Sequence, residues 1–148
     1  MRAVVQRVSR ASVSAGGVIT GEIGAGLAVL LGVAETDKTE DADRLADKLS
    51  RMRVFPDENG KTNLSANDVG GQMLIVSQFT LYADCKKGNR PGFSGAAQPK
   101  LAQELYEYFI KACEGRFSKT ACGVFGAKME LALTNDGPFT LVLDTREL

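Results

Sequence analysis

Two continuous apolar runs constrain the fold of this chain more than any other feature of its 148 residues. The first, LAVLLGV, spans residues 27–33, and the second, MLIVSQFTL, spans residues 73–81. Short apolar runs of this kind are typical of strands that are covered on both faces. We therefore predict a central, doubly covered strand at the first run and the most apolar strand of the chain at the second.

Helix and strand patterns flank these two runs. Asp37, with Glu40 three residues later, predicts the start of a helix that ends near Arg53. A second helix is expected to begin at Pro99, a favoured first residue, and to end at Gly115. Alternating apolar residues and turn residues predict the remaining strands at residues 2–14, 18–23, around the Asn59-Gly60 turn, 118–124, 128–134 and 139–145.

The resulting order, β-β-β-α-β-β-α-β-β-β, contains many strands and only two helices. It predicts an α/β fold in which one curved mixed β-sheet, or a partly open β-barrel, carries two helices packed outside. No linker or shift in composition divides the sequence. Residues 1–148 are therefore expected to form a single domain.

The chain contains no histidine. Ser-His-Asp and Cys-His catalysis, histidine general bases and histidine metal ligands are therefore excluded. The 18 basic and 18 acidic residues balance, so any contact with nucleic acid must come from a local patch. Cys85, Cys113 and Cys122 form no CxxC motif, and we interpret them as structural or incidental residues. With no visible signal peptide or membrane span, a reducing cytoplasm is the expected location.

Two polar segments are candidates for a site, each with a plainer interpretation. Ser77, Gln78 and Thr80 interrupt an apolar strand, where they either face a site or simply face solvent. Thr80 is a candidate nucleophile, although it needs a base. The cations of the loop at residues 86–90, KKGNR, either bind phosphates or are merely solvated.

Aromatic and glycine-rich segments supply the other candidates. Phe125 either stacks on a base, as aromatic residues do in RNA sites, or packs with Met129 in the core. The glycines at positions 21, 24 and 26 are interpreted as a hairpin turn, since no helix follows them. In the segment TNDGPFT, residues 134–140, Gly137-Pro138 is either a hairpin loop with an unusual proline or a rigid device that holds backbone groups.

The segments SQFTLYAD, residues 77–84, and TNDGPFT together resemble the two signature motifs of D-aminoacyl-tRNA deacylases of the bacterial and eukaryotic type. The resemblance includes the opening MRAVVQRVSRASV, the loop KKGNRPGF and the segment FGAKM, and so covers essentially the whole chain. Such enzymes hydrolyse the ester that joins a D-amino acid to the terminal adenosine of tRNA, and some also act on mischarged glycyl-tRNA. The resemblance further implies a homodimer that needs no metal or other cofactor.

The resemblance also implies roles for the residues of the first motif. Ser77, Gln78, Phe79 and Thr80 match the SQxT sequence that lines the aminoacyl pocket. By this resemblance, backbone groups around Phe79 bind the ligand. Gln78 is then expected near the ester and Thr80 at the reaction centre.

The second motif and two further segments receive roles in the same way. Gly137 and Pro138 match a Gly-cisPro motif that reaches across the dimer interface into the pocket of the partner. Phe125 and Met129 lie in a segment that resembles the one cradling the adenine. The loop at residues 86–90 is expected to do no more than contact the tRNA backbone.

Two routes to ester hydrolysis remain open at this point. In the first, Thr80 attacks the carbonyl and forms an acyl-enzyme, but the sequence offers no histidine base to activate the hydroxyl. In the second, the 2′-hydroxyl of the RNA activates water or assists attack, and backbone amides stabilise the developing charge. The absence of histidine favours the second route. Without the resemblance, the sequence also suits a threonine-nucleophile esterase or a non-catalytic, amino-acid-binding regulatory dimer.

Overall fold

The computed structural model describes all 148 residues, which form eight strands and two α-helices. The elements follow in the order β1 (Arg2–Ala15), β2 (Val18–Ile23), β3 (Gly26–Gly32), α1 (Thr39–Arg51), β4 (Arg53–Pro56), β5 (Thr62–Ser65), β6 (Gln72–Ser77), α2 (Pro99–Cys113), β7 (Thr120–Cys122) and β8 (Met129–Asp144). Short 3-10 turns occupy Phe79–Tyr82 and Thr145–Glu147. Neither α-helix is long and apolar enough to cross a membrane.

Strand β1 pairs with other strands along both of its edges. β8 runs antiparallel along one edge, while β3 and β2 share the other, at residues 2–8 and 11–15 of β1. Parallel pairing then adds β6 to β3 and β7 to β6. β2 lies close to β7 at the far side of the sheet. The closeness is shown at Gly21, where an added methyl group would lie only 2.7 Å from the carbonyl oxygen of Cys122. The predicted mixed sheet with two helices is confirmed, as a nearly closed, barrel-like sheet.

Strand β3 is covered on both faces, as its apolar run predicts. Leu27, Val29 and Leu31 belong to the larger core cluster, which the sheet shares with both helices. Ala28, between them, points the other way and packs with Val8, Val13 and Leu74 in a second cluster. Side chains alternate between the two faces of a strand, so a strand between two apolar layers must be apolar throughout.

The second apolar run is a shorter strand than the prediction of residues 73–81. β6 ends at Ser77, and the chain then turns through Phe79–Tyr82. The polar residues of this run therefore lie at a strand end and in a turn. This position explains why three polar side chains follow an apolar segment without being buried in the sheet.

Two predicted hairpins are wrong, because the chain does not reverse at either place. β2 and β3 follow one another along the same edge of β1, so the bend at Gly24 continues the strand direction. Likewise, the strands predicted at residues 128–134 and 139–145 are the two halves of β8, and both pair with β1. Gln6 opposes Thr140 and Val8 opposes Asn135, so TNDGPFT is a bulge in one long strand.

The predicted start of α1 at Asp37 is also wrong. The helix begins at Thr39, and the Asp41 carboxylate accepts from the backbone N–H of Lys38, 3.0 Å away. Asp37 is instead buried and accepts the N-terminal ammonium of Met1 at 2.8 Å. The same ammonium donates to the hydroxyl of Thr145 at 2.5 Å. The buried pair therefore joins the beginning of β1 to the residues before α1 and after β8.

Replacing Asp37 should destabilise the fold, because the buried ammonium of Met1 would lose its counter-charge. We expect Asp37→Asn to lower the free energy of unfolding by about 3 kcal/mol, as for other buried pairs that lose one partner. Asp47→Asn is the matched control, because Asp47 pairs with Arg51 on the exposed side of α1 and is expected to change stability by less than about 0.5 kcal/mol. Urea unfolding measures both; equal stabilities would contradict the role of the buried pair.

Candidate active site

A cavity of about 610 Å³ opens where the three parallel strands end. β3, β6 and β7 have their carboxyl ends at the same edge of the sheet, and ligand sites in parallel sheets form at such edges. Most of the wall is apolar. It is built from the ends of β3 and β6, the segment 93–98, the first turns of α2, the segment 125–127 and the first residues of β8.

The polar residues predicted from the first motif lie at one side of this cavity. Ser77, Gln78 and Phe79 line it, and Thr80 follows in the exposed part of the turn. The backbone N–H of Gln78 donates to the carbonyl oxygen of Leu31 at 2.7 Å, which fixes the start of the turn on β3. The Gln78 amide donates to the hydroxyl oxygen of Thr80 at 2.6 Å. No other side chain bonds to that hydroxyl.

Aromatic rings form the other walls. Phe125 and Met129 both line the cavity, so the structure brings them together with Ser77, Gln78 and Phe79. The ring of Phe125 lies 5.7 Å from that of Tyr106 on α2. The Tyr106 hydroxyl donates to the carbonyl oxygen of Ile75 at 3.0 Å, and burial raises the pKa of this phenol. It therefore remains a neutral donor that fixes the wall.

A second aromatic pair stands at the mouth of the cavity. The rings of Phe79 and Phe93 meet edge to face at 5.0 Å, and both are partly exposed, by 56% and 40%. The segment that carries Phe93 is held to the end of β3 by a hydrogen bond from Ala97 N–H to the carbonyl oxygen of Val33 at 2.9 Å. An exposed aromatic pair beside an apolar cavity offers a surface on which flat rings stack.

Gly137 and Pro138 do not line this cavity. Both are exposed in the bulge of β8, and the peptide bond between them is cis. The φ of Gly137 is +144°, and a methyl group there would lie 2.7 Å from the backbone nitrogen of Phe139. Only glycine is compatible with this position.

Arg7 and Asn135 hold the bulge from both sides. Arg7 Nε donates to the carbonyl oxygen of Asp136 at 3.0 Å, and Nη1 donates to that of Val54 at 2.6 Å. The Arg7 guanidinium also lies 4.8 Å from the ring centroid of Phe139. Asn135 donates to the carbonyl oxygens of Arg7 and Phe139, and its own oxygen accepts from Phe139 N–H. The loop is therefore exposed to solvent and held in one conformation by these contacts.

The remaining candidates lie outside the cavity. The loop at residues 86–90 is exposed and is closed by a pair of backbone hydrogen bonds between Asp84 and Gly92. Burial raises the pKa of Cys113 to about 12 and also raises that of Cys122, so neither is a reactive thiolate. No group of three Cys, Asp or Glu side chains is placed to hold a metal ion.

Sequence reasoning misses several residues of the site. Phe93 ends the segment KKGNRPGF but receives no role from the resemblance, and Tyr106 resembles an ordinary core aromatic residue. Arg7 and Asn135 are separated by more than a hundred positions, and only strand pairing brings them together. The one available signal is Asn135 itself, since a polar side chain that caps its own backbone is typical beside a bulge or turn.

Comparison with known proteins adds family relationships to this geometry. The family model described as D-Tyr-tRNA(Tyr) deacylase matches residues 4–144. D-aminoacyl-tRNA deacylases of Chloroflexus aurantiacus and Thermosipho africanus are 55% and 52% identical to the chain. Both alignments cover 100% of this chain, with 92% and 99% of the respective relative.

Two solved structures share the fold. A c-Myc DNA unwinding element binding protein superposes with a TM-score of 0.91 at 39% identity, covering 97% of this chain and 98% of its own. A probable eukaryotic D-amino acid tRNA deacylase superposes with a TM-score of 0.85 over 96% of this chain and 97% of its own. Its 16% identity shows similarity of fold alone.

Proposed function

Because this chain belongs to the D-Tyr-tRNA(Tyr) deacylase family, we propose that it is a hydrolase that cleaves the ester bond of D-aminoacyl-tRNA. The products are the free D-amino acid and the tRNA, and the reaction removes D-residues before translation. Residues 1–148 act as one deacylase domain. The observation that supports the proposal is that one cavity is lined both by Phe125 and by the first residues of the segment 77–82, which contains the SQFT sequence and is called the SQFT turn.

The cavity accommodates the aminoacylated 3′ end of the tRNA. Its volume of about 610 Å³ lies within the range of roughly 300–1,000 Å³ that small-molecule sites occupy. The adenine packs against Phe125 and Met129, since apolar and aromatic side chains bind the faces of bases. The ester then extends toward Gln78 and Thr80, with Ser77 and Phe79 bordering the aminoacyl group.

The RNA supplies the group that the protein lacks. The Thr80 hydroxyl bonds only to Gln78, and a carboxamide cannot accept its proton. The terminal ribose carries a 2′-hydroxyl beside the ester, and this group activates water or assists its attack. The N–H groups of Phe79 and Thr80 open a 3-10 turn that offers them no acceptor, so they are available to stabilise the developing negative charge.

Selection against L-amino acids needs a wall, because the two enantiomers carry the same groups. We assign this wall to Gly137 and Pro138 of a second subunit, placed where only the hydrogen on Cα of a D-residue fits. In support, the loop is exposed, is fixed by Arg7 and Asn135, and is absent from the cavity of its own subunit. A wall of this kind cannot reject glycine, so mischarged glycyl-tRNA is a substrate too.

The proposed assembly is a homodimer with the active sites at its interface. β8 pairs only with β1, so its other edge is unpaired along a strand of 16 residues. Val142 on the same strand is 72% exposed. An unpaired edge with exposed apolar side chains is suited to association with a second chain.

The exposed cations of the loop at residues 86–90 are assigned to the tRNA backbone. Lys86, Lys87 and Arg90 take part in none of the ion pairs of the chain, and the loop leads to Phe93 at the mouth of the cavity. Free cations beside a nucleotide pocket are suited to phosphate contacts. Aminoacyl-tRNA is thus the partner, and the cytoplasm is the expected location.

The central prediction is selective deacylation. Incubated with D-tyrosyl-tRNA and L-tyrosyl-tRNA, the protein should release the amino acid from the D form alone. Acid-precipitable radioactivity of the charged tRNA measures the loss. Binding of both without release would instead indicate a regulatory amino-acid-binding dimer. Equal release from both forms, or from simple esters, would indicate a threonine esterase.

A second prediction separates the two chemical routes. If the RNA assists the reaction, D-tyrosyl-tRNA ending in 2′-deoxyadenosine should be cleaved at least about 100-fold more slowly. Thr80→Ala should retain kcat within about tenfold, because it removes no nucleophile. Single-turnover rates measure both effects. Loss of all activity in Thr80→Ala, together with an unchanged rate on the 2′-deoxy substrate, would establish the acyl-enzyme route.

A third prediction tests the shared site. Ala127→Trp fills the cavity, and Gly137→Ala disrupts the loop, so each variant alone should be nearly inactive. Mixed dimers contain one site with an intact cavity and an intact loop. After denaturation and refolding of an equal mixture, about a quarter of wild-type activity should return, since half the dimers are mixed and each has one good site. No recovery, with dimers present by light scattering, would contradict a loop that acts across the interface.

A further inference from the structure

Arg2 joins the beginning of β1 to the turn that carries Thr80. Its Nε donates to Asp144 Oδ2 at 3.0 Å, and its Nη1 donates to the carbonyl oxygen of Leu81 at 3.1 Å. Its guanidinium carbon lies 4.7 Å from the centroid of the Tyr82 ring. One side chain therefore binds the end of β8 and two successive residues of the Phe79–Tyr82 turn.

The turn lies within reach of Arg2 because the residue between them is glycine. In the sheet, Arg2 is opposite Gly32 of β3 on one side and Asp144 of β8 on the other. A methyl group at Gly32 would lie 3.0 Å from the carbonyl oxygen of Gln78 and 3.1 Å from Leu81 Cβ. The absence of a side chain at this position allows the turn to rest on the end of β3.

Arg2 supplies a donor where the turn has none of its own. Within the turn, the carbonyl oxygen of Gln78 accepts from Leu81 N–H, and that of Thr80 accepts from Ala83 N–H at 3.0 Å. The carbonyl oxygen of Leu81 accepts from Arg2 instead. Arginine side chains bond readily to the last carbonyls of a helical turn, and a charged donor makes a stronger bond than a neutral one. Contact with the Tyr82 ring adds a cation–π interaction.

Asp144 fixes the guanidinium of Arg2 from the other side. Its side chain is only 11% exposed, and it also accepts hydrogen bonds from the backbone and side chain of Arg146. These bonds, first those from the Arg146 side chain, then that from the Arg146 backbone N–H and then that from Arg2, hold the pKa of Asp144 well below its usual range. Because Asp144 keeps Arg146 as a partner, Arg2 can be replaced without leaving an unpaired carboxylate.

We infer that Arg2 is a positioning residue for the reaction centre. It holds the turn so that Thr80 and the N–H groups of the turn face the ester, and it does not touch the substrate itself. The inference rests on the proposed function and adds a residue that neither motif contains. A misplacement of about 1 Å costs about 100-fold in rate, so loss of Arg2 acts on turnover. Binding of the adenine depends on Phe125 and Met129, which lie outside the turn that Arg2 holds.

The test compares three variants on D-tyrosyl-tRNA. Arg2→Met keeps the length of the side chain and removes the donors, and it should lower kcat at least about tenfold with KM within about twofold of wild type. Arg2→Lys keeps the charge but replaces the fixed fork of guanidinium donors by a single nitrogen, and it should recover part of kcat. Arg10→Met is the matched control, because Arg10 also lies on β1 and bonds to a β8 side chain, Thr134, but does not reach the turn. It should have wild-type kcat.

A second measurement is independent of catalysis. Amide hydrogen exchange at Leu81 and Ala83, whose N–H groups bond within the turn, should be faster in Arg2→Met than in wild type and unchanged in Arg10→Met. Wild-type kcat and exchange in Arg2→Met would overturn the inference, as would equal losses in Arg2→Met and Arg10→Met. If Arg2→Met does not fold, Arg2→Lys decides, and wild-type kcat and exchange in that variant overturn the inference. Failure of the wild-type protein to act on D-tyrosyl-tRNA would count against the proposed function. The exchange measurement would still test whether Arg2 holds the turn, because it does not depend on activity.

Discussion

The pairing of β1 along both edges is the constraint on which the rest of the structure depends. One edge carries β8, and the other carries β2 and β3 in succession. The parallel strands β6 and β7 are added through β3, so their position also follows from β1. Two arginines of β1 also support the candidate site and the bulge: Arg2, at the start of the strand, bonds to the SQFT turn, and Arg7, near its middle, bonds to the bulge of β8.

The bulge shows why local sequence chemistry and final structure disagree in this segment. Asn-Asp-Gly favours a reversal of the chain, and in an isolated hairpin it would produce one. Here residues on both sides of the segment find partners on the same strand, so the chain continues and the extra residues protrude. Asn135 bonds to backbone groups of Arg7 and Phe139 and satisfies polar groups that the interrupted ladder leaves open.

The site follows from the parallel part of the sheet. Three strands end at one edge, and the segments that leave them supply the SQFT turn, the Phe93 segment and the Phe125 segment. In the proposed mechanism, the chemistry comes from fixed backbone groups and from the RNA of the substrate, because the chain contains no histidine. Rigid placement is therefore the main requirement at this edge, and Gly32 contributes by allowing the turn to lie directly on β3.

The sequence by itself determined the mixed sheet, the two helices and the doubly covered β3, because each of these depends on the periodicity of a short segment. Its composition also excluded histidine chemistry. Of the site residues named from the sequence, Ser77, Gln78, Phe79, Phe125 and Met129 line one cavity, whereas Thr80, Gly137 and Pro138 do not. Only the tertiary structure decided that β2–β3 and β8 continue without hairpins, that Asp37 binds the ammonium of Met1, and that Arg2 reaches Leu81. These features join residues far apart in the chain, and strand register, which no local pattern encodes, brings them together.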